Sequence, residues 1–166
     1  MPPIQRAELP AHAILHGRLQ AGDYADCFTA DIARPVSHAQ FVEAFYTTGV
    51  FKIERAILRF AVAKPSTDAQ AKALAEGTTE AFAAWNVEGR APDQLLMADF
   101  SGRTRSWLMV GPGEGGGTRL YFGSAVGARR SGSGERSMGT VFNALLGFHK
   151  LYSRVLLHAA RARLGG

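Results

Sequence analysis

The side chains best placed for chemistry are an arginine among aromatic and apolar neighbours and a histidine–tyrosine pair near the C-terminus. In RTRSWLMV, residues 103–110, strand alternation puts Arg105 on one face with Trp107 and Met109. Turned inward, its guanidinium would hold a carboxylate or phenolate at the end of an apolar ligand. Turned outward, it is a solvated strand residue with its stem over Trp107. His149 and Tyr152 lie three residues apart on a helical stretch and are neighbours on one face. They suit a polar ligand anchor or a proton donor and acceptor, or they satisfy each other in a core.

Other chemistry-bearing residues are weaker. His12 and His16 have the i, i+4 spacing of two metal ligands on a helix, but no helix start precedes them and no third ligand is identifiable, so no metal is expected. Asp23, Asp26 and Asp99 fall at a strand start and at turn flanks, ordinary places for aspartate. The single cysteine, Cys27, carries no sign of activation. Residues 111–117, GPGEGGG, contain G-x-G-x-x-G, whose cofactor version needs a strand before it and a helix N-terminus after it. Here TRLYFGSAV follows, β-branched and aromatic, and Pro112 removes an amide donor, so a hairpin loop is expected and no cofactor. No G-x-S-x-G, H-E-x-x-H or P-loop is present, and no residue is assigned as catalytic.

The elements around these residues follow from periodicity. Residues 1–20 have no strong pattern and are expected to form an irregular N-terminal arm, with a single domain over 21–166. DYADCFTADI alternates as a strand, with Tyr24, Phe28, Ala30 and Ile32 on one side and Ala25, Cys27, Thr29 and Asp31 on the other. Ser37 and Gln40 form a capping box ahead of a helix through Phe41, Val42, Phe45 and Tyr46, with Val36 as staple. TTG at 47–49 interrupts it before FKIERAILRFAVA resumes, and TDAQ at 67–70 opens a short helix ending at Gly77.

AFAAWNV, QLLMADF, RTRSWLMV and TRLYFGSAV then read as a meander separated by EGRAP, Ser101-Gly102 and the glycine loop. The Ser-Gly turn sets Phe100 opposite Arg103, Ala98 opposite Arg105 and Leu96 opposite Trp107. A glycine loop of 111–117 would set Trp107 against Tyr121 and Arg105 against Gly123. Leu96, Arg105, Trp107, Met109 and Tyr121 then share one face. After SGSGERSMG a long helix carries Met138, Phe142, Leu145, His149, Tyr152 and Leu156, with Phe148 and Val155 beside the stripe.

The chain has 166 residues, enough for one core without metal or disulfide support. One cysteine points to a reducing compartment, and a bacterial cytoplasm is the expected location. No leader pattern and no run near the roughly 18 apolar residues of a span is seen, so no integral membrane association is expected. Lys and Arg number 19 against 14 Asp and Glu, a formal +5. The late cluster of Arg129, Arg130, Arg136, Lys150, Arg154, Arg161 and Arg163 suits a helix C-terminus and a solvated face. Without a basic stripe interleaved with stacking aromatics, no nucleic-acid partner is expected.

Strand, helices, meander and one long helix make an α+β order. Through DYADCF, the aromatic first helix with RAILRF, RTRSWLMV and FNALLGFHKLYSRVLLHAAR, the chain resembles the helix-grip superfamily of START-like lipid-binding domains and polyketide cyclases. More narrowly it looks like an uncharacterised bacterial family within that group, a domain of unknown function also found fused behind a dehydrogenase-like domain. The resemblance implies a curled antiparallel sheet wrapped around a long C-terminal helix, with a hydrophobic cavity between them. Thr104 and Ser106 depart from the larger polar residues expected at their places.

The expected function is binding of a small apolar or amphipathic molecule in that cavity, lined by Trp85, Leu96, Arg105, Trp107, Tyr121, Phe142, His149 and Tyr152. Two alternatives stay open: a cyclase- or aromatase-like enzyme, and an accessory interaction module for a dehydrogenase-like partner. No paired acid and base favours the enzyme, and a shared scaffold does not name a reaction.

Overall fold

Alternation along DYADCFTADI yields a nine-residue strand, β2 (Tyr24–Ile32), preceded by a two-residue strand, β1 (Gln5–Arg6). The computed structural model describes residues 3–53, 66–100, 102–127 and 152–165. Both capping boxes form. Ser37 Oγ accepts from the Gln40 amide at 3.1 Å and Gln40 Oε1 accepts from the Ser37 amide at 2.9 Å, starting α1 (His38–Tyr46). Thr67 and Gln70 repeat the exchange at α3 (Asp68–Ala75), which gives way to a turn at Gly77 with φ +75°. Between them the TTG break ends one helix and caps the next. Thr48 Oγ1 accepts from the Phe51 amide at 3.1 Å, at the start of α2, whose described part is 49–53.

The meander follows as β3 (Ala81–Phe82), β4 (Trp85–Ala91), β5 (Gln94–Asp99), β6 (Thr104–Pro112) and β7 (Thr118–Val126). Last comes a helix, α4, over 152–163. Among the described residues all pairings are antiparallel, and the seven strands lie in the order β1-β2-β7-β6-β5-β4-β3. The molecule is therefore α+β, with an open seven-stranded sheet.

Three strand boundaries differ from the sequence reading. AFAAWNV is split by a turn at Ala83, whose φ of +52° bends the chain between β3 and β4. EGRAP separates the strands only at its end: β4 runs on to Ala91 and Pro92 begins the turn, with a bulge between Val87 and Gly89 that leaves Glu88 without a ladder partner. The glycine loop is shorter than 111–117, since Gly111 pairs with Arg119 and Pro112 with Thr118. That moves the register by two: Trp107 faces Gly123, Met109 faces Tyr121 and Arg105 faces Ala125. Side-chain parity is unchanged, because a shift of two keeps each residue on its face. The β5–β6 register has Ala98 opposite Arg105 and Leu96 opposite Trp107, as the Ser-Gly turn implies.

The loop glycines are explained by packing. A Cβ on Gly117 would lie 2.2 Å from the Ile32 carbonyl oxygen, so the hairpin can close against the end of β2 only without one. A strand follows the glycines where a phosphate site would need a helix N-terminus.

The sheet is covered on both faces. On one, Phe28, Ala30, Ile32, Leu95, Met97, Leu108, Leu120 and Phe122 pack with Phe41, Phe45, Tyr46 and Phe51 of the first two helices, Leu74 of α3, and Leu156, Leu157 and Ala160 of α4. Arg34 Nε donates to the Leu164 carbonyl at 3.0 Å, tying the end of α4 to the end of β2. On the other face, Cys27, Leu96, Trp107, Met109 and Ala125 are covered by Ala13 and Leu15, with Ala7, Leu9, Ile14 and Leu19 around them. The first twenty residues, expected as an irregular arm, thus include a strand and a 3-10 turn (Ile14–Arg18) that roof the outer face.

Two expectations for the last helix change. Val155, placed beside the core stripe, is 41% exposed, and Arg161, counted among the solvated cations, is buried. The 3.6-residue period turns Leu157, Ala160 and Arg161 inward with Leu156.

His38 sits at the first turn of α1, its Nε2 3.2 Å from the Leu108 carbonyl oxygen. Burial holds its pKa below the ordinary 6.5, outweighing that backbone contact and the charge of Asp93, with Arg90 adding to the lowering. The unfolded chain therefore binds the proton more readily than the folded one. Stability contributed here is complete above pH 6.5 and is lost as pH falls from 6.5 towards and through the lowered folded value. Chemical denaturation across that window should show the decline in wild type and a flatter profile in His38→Gln.

Candidate functional site

Strand parity divides the residues expected to line one cavity. Leu96, Trp107 and Tyr121 belong to the outer cluster under the N-terminal segment, whereas Trp85 and Tyr152 pack against the helix-side cluster. Phe142 and His149 lie outside the described residues. A shared concave face holding Leu96, Arg105, Trp107, Tyr121 and Tyr152 is therefore not formed. Arg105 is on the outer face, where Nε donates to Glu88 Oε2 at 2.7 Å and Nη2 to Oε1 at 3.1 Å. The bulge that expels Glu88 from the ladder supplies this bidentate partner. Each ion holds the other charged: the Arg105 hydrogen bond keeps Glu88 below the usual carboxylate range, and Glu88 pushes Arg105 upward. Arg18 adds a second cation, its Nε 3.9 Å from Glu88. A guanidinium so engaged is a clamp between β4 and β6, not an inward anion anchor.

His16 Nε2 lies 3.1 Å from the Pro10 carbonyl oxygen, and the His12 carbonyl accepts from Gln94. Asp23 Oδ2 accepts from the Gln20 amide, and Asp99 Oδ1 accepts from the amides of Arg103 and Thr104. The Cys27 thiol is pushed up to about 12, first by burial and then by Asp26, so it is held as an unreactive thiol. Among the described residues no group of three or more His, Cys, Asp or Glu side chains could hold a metal ion.

Asp26 is different, and the sequence reading passed over it. It has the parity of Tyr24 and Phe28, so it faces the helices, and it is only 5% exposed. Its Oδ1 accepts from Ser124 Oγ at 2.5 Å and its Oδ2 from Tyr24 Oη at 3.0 Å. Burial, the Asp26 charge and that hydrogen bond together push the Tyr24 hydroxyl up to about 12, so it stays protonated as a donor.

The register extends the polar group across the sheet. Asp26 pairs with Ser124, Ser124 with Ser106, and Ser106 with Met97. The three polar side chains thus form one rung over β2, β7 and β6, with Ser124 1% and Ser106 7% exposed. The rung beside it is wholly apolar, with Phe28 against Phe122, Phe122 against Leu108, and Leu108 against Leu95. On the other side Tyr24, Val126 and Thr104 form the end rung. Ser106 Oγ is buried and has no hydrogen-bond partner among the described residues. A buried hydroxyl left so costs about 1 to 3 kcal/mol.

The legible signal was a charged residue at an inward position between Tyr24 and Phe28. Ser106 gave none, because a serine in a strand carries no information about its partners. An open cleft of about 450 Å³ shares Asp26 with the rung and is otherwise lined by Arg6, Ala7, Glu8, Leu9, Ala25 and Cys27.

No described helix is long and apolar enough to cross a membrane. No protein-family profile, curated protein or solved structure matches this chain.

Proposed function

We propose that the protein binds a small amphipathic molecule against the helix-facing surface of its sheet, with the polar end of the molecule at the Asp26–Ser124–Ser106 rung. The observation that carries this reading is the buried Ser106 hydroxyl without a partner among the described residues, one strand from Ser124 and two from the buried Asp26 carboxylate, and next to an apolar rung. Ligand sites combine an apolar wall with a few placed polar groups; here the polar rung lies beside an apolar rung that is itself buried beneath the helices. Trp85 and Tyr152, on the helix-side cluster, remain in the proposed lining, whereas Phe142 and His149 lie outside the described residues. Leu96, Arg105, Trp107 and Tyr121 do not, because they serve the opposite face.

A helix-grip fold is part of the same proposal. It is supported by a first long strand that pairs with the last, by helices between the first long strand and the meander, and by a helix after the last strand. A reducing, cytoplasmic setting accords with the single buried cysteine.

The test is titration with the neutral apolar dye Nile red, followed by its fluorescence. Saturable one-to-one binding, weakened in Ser106→Ala, is the expected result. Ligand at a hundredfold excess over Kd should also stabilise the fold by about 2.7 kcal/mol. Absence of any saturable signal, with Nile red or with copurified small molecules in native mass spectrometry, would turn the reading towards the interaction module.

A further inference from the structure

We infer that the polar end this rung accepts is a hydroxyl, so that the ligand class is a neutral alcohol or phenol on an apolar body. The inference rests on the ligand-binding reading above and narrows it by hydrogen-bond arithmetic. An ionised carboxylate only accepts, at about four lone-pair sites. Asp26 already takes one donor on each oxygen, from Ser124 and Tyr24, which leaves acceptor capacity on both. Ser106 Oγ, on the same inward rung across Ser124, has a proton to give and lone pairs to share, and neither is used among the described residues.

A ligand hydroxyl matches both needs at once. It donates to an acceptor of the rung and accepts the Ser106 proton. A ligand carboxylate would bring a second negative charge next to Asp26 in a site screened from water, where like charges repel strongly. An ammonium offsets the Asp26 charge but has no lone pair, so the Ser106 proton stays unpaired. An ether accepts from Ser106 and donates nothing. Arg105, the cation that could have favoured acids, is not on this face, because Glu88 holds it on the other.

The experiment is displacement of Nile red at neutral pH by a matched decyl series: decanol, decyl methyl ether, decylamine and decanoic acid. Each is titrated against wild type and Ser106→Ala. Decanol is expected to bind about tenfold more tightly than the ether, the amine or the acid, the gain of roughly one good hydrogen bond. Ser106→Ala should weaken decanol and the ether alike and bring decanol within about threefold of decylamine, which never used the Ser106 proton, while the unliganded variant melts at the wild-type temperature or above it, because an unsatisfied hydroxyl has been removed. Decanoic acid or decylamine displacing the dye as well as decanol overturns the inference, and so does an unchanged decanol affinity in Ser106→Ala. Saturable dye binding with no preference in the series rejects the hydroxyl class and leaves the ligand-binding reading standing. No saturable dye binding at all rejects both.

Discussion

Phe45→Ala should lower the free energy of unfolding by about 3 to 5 kcal/mol, the range for a large aromatic truncated in a core. Phe45 is the hub of the helix-side cluster: its ring centroid lies 4.8 Å from Phe122, 5.2 Å from Tyr46, and 6.1 Å from both Phe41 and Phe51. Those partners come from α1, α2 and β7, so removing the ring opens a gap at the junction of helix and sheet. Each edge or tilted ring contact contributes about 0.5 to 1.5 kcal/mol beyond its buried area. Urea denaturation of the variant checks the figure. Phe45→Leu, which refills most of the volume, should recover a good part of the loss. A loss below about 1 kcal/mol in Phe45→Ala would mean that the surrounding rings close over the gap, contrary to the close packing seen here.

Gln94→Leu should cost about 2 to 6 kcal/mol, because it strands buried polar groups instead of merely deleting contacts. Gln94 is buried, and its Oε1 accepts both the Ile14 amide at 2.9 Å and the Trp107 indole N–H at 2.8 Å. Its Nε2 donates to the His12 carbonyl at 3.2 Å. One side chain therefore fastens the N-terminal segment to the outer face of the sheet. Leucine keeps the bulk and loses every one of these bonds. The expected signs are reduced stability, faster proteolysis around residues 7–19 and a shift in tryptophan emission. Gln94→Glu keeps the acceptor for both donors and should be the milder change. Wild-type proteolysis in Gln94→Leu would show that Leu15 and its apolar neighbours hold the segment unaided.

Much of the architecture was readable from local signals. Ser37-x-x-Gln40 and Thr67-x-x-Gln70 cap helices because a side-chain oxygen and an amide three residues on meet whatever the rest of the chain does. The parity of DYADCFTADI and RTRSWLMV was readable for the same reason: adjacent side chains of a strand take opposite faces. Element ends were less legible. Gly111 and Pro112 read as loop, yet the β6–β7 ladder carries them into the sheet. EGRAP reads as turn chemistry throughout, but a bulge lets β4 continue to Ala91 and leaves only its Pro92 in the turn.

The candidate site was the least legible part, and the reason is the distance along the chain over which its partners meet. Ser124 is 98 residues from Asp26, and nothing within DYADCF announces the hydroxyl that holds the carboxylate. Gln94 stands 80 residues from Ile14, so residues 1–20 looked unpatterned although they carry the roof of one sheet face.

The sequence by itself determined which residues travel together on a strand face, where the helices start, and that a strand follows the glycine loop. These depend on bonding and sterics within a few residues. Only the tertiary structure decided which of two possible faces the helices take. That choice moved Arg105, Leu96, Trp107 and Tyr121 under the N-terminal segment and turned Asp26, Ser106 and Ser124 towards the helices. Parity assigns residues to two sets but does not say which set is covered by what. The burial of apolar area from distant segments, Leu15 on one side and Phe45 and Leu157 on the other, settles it.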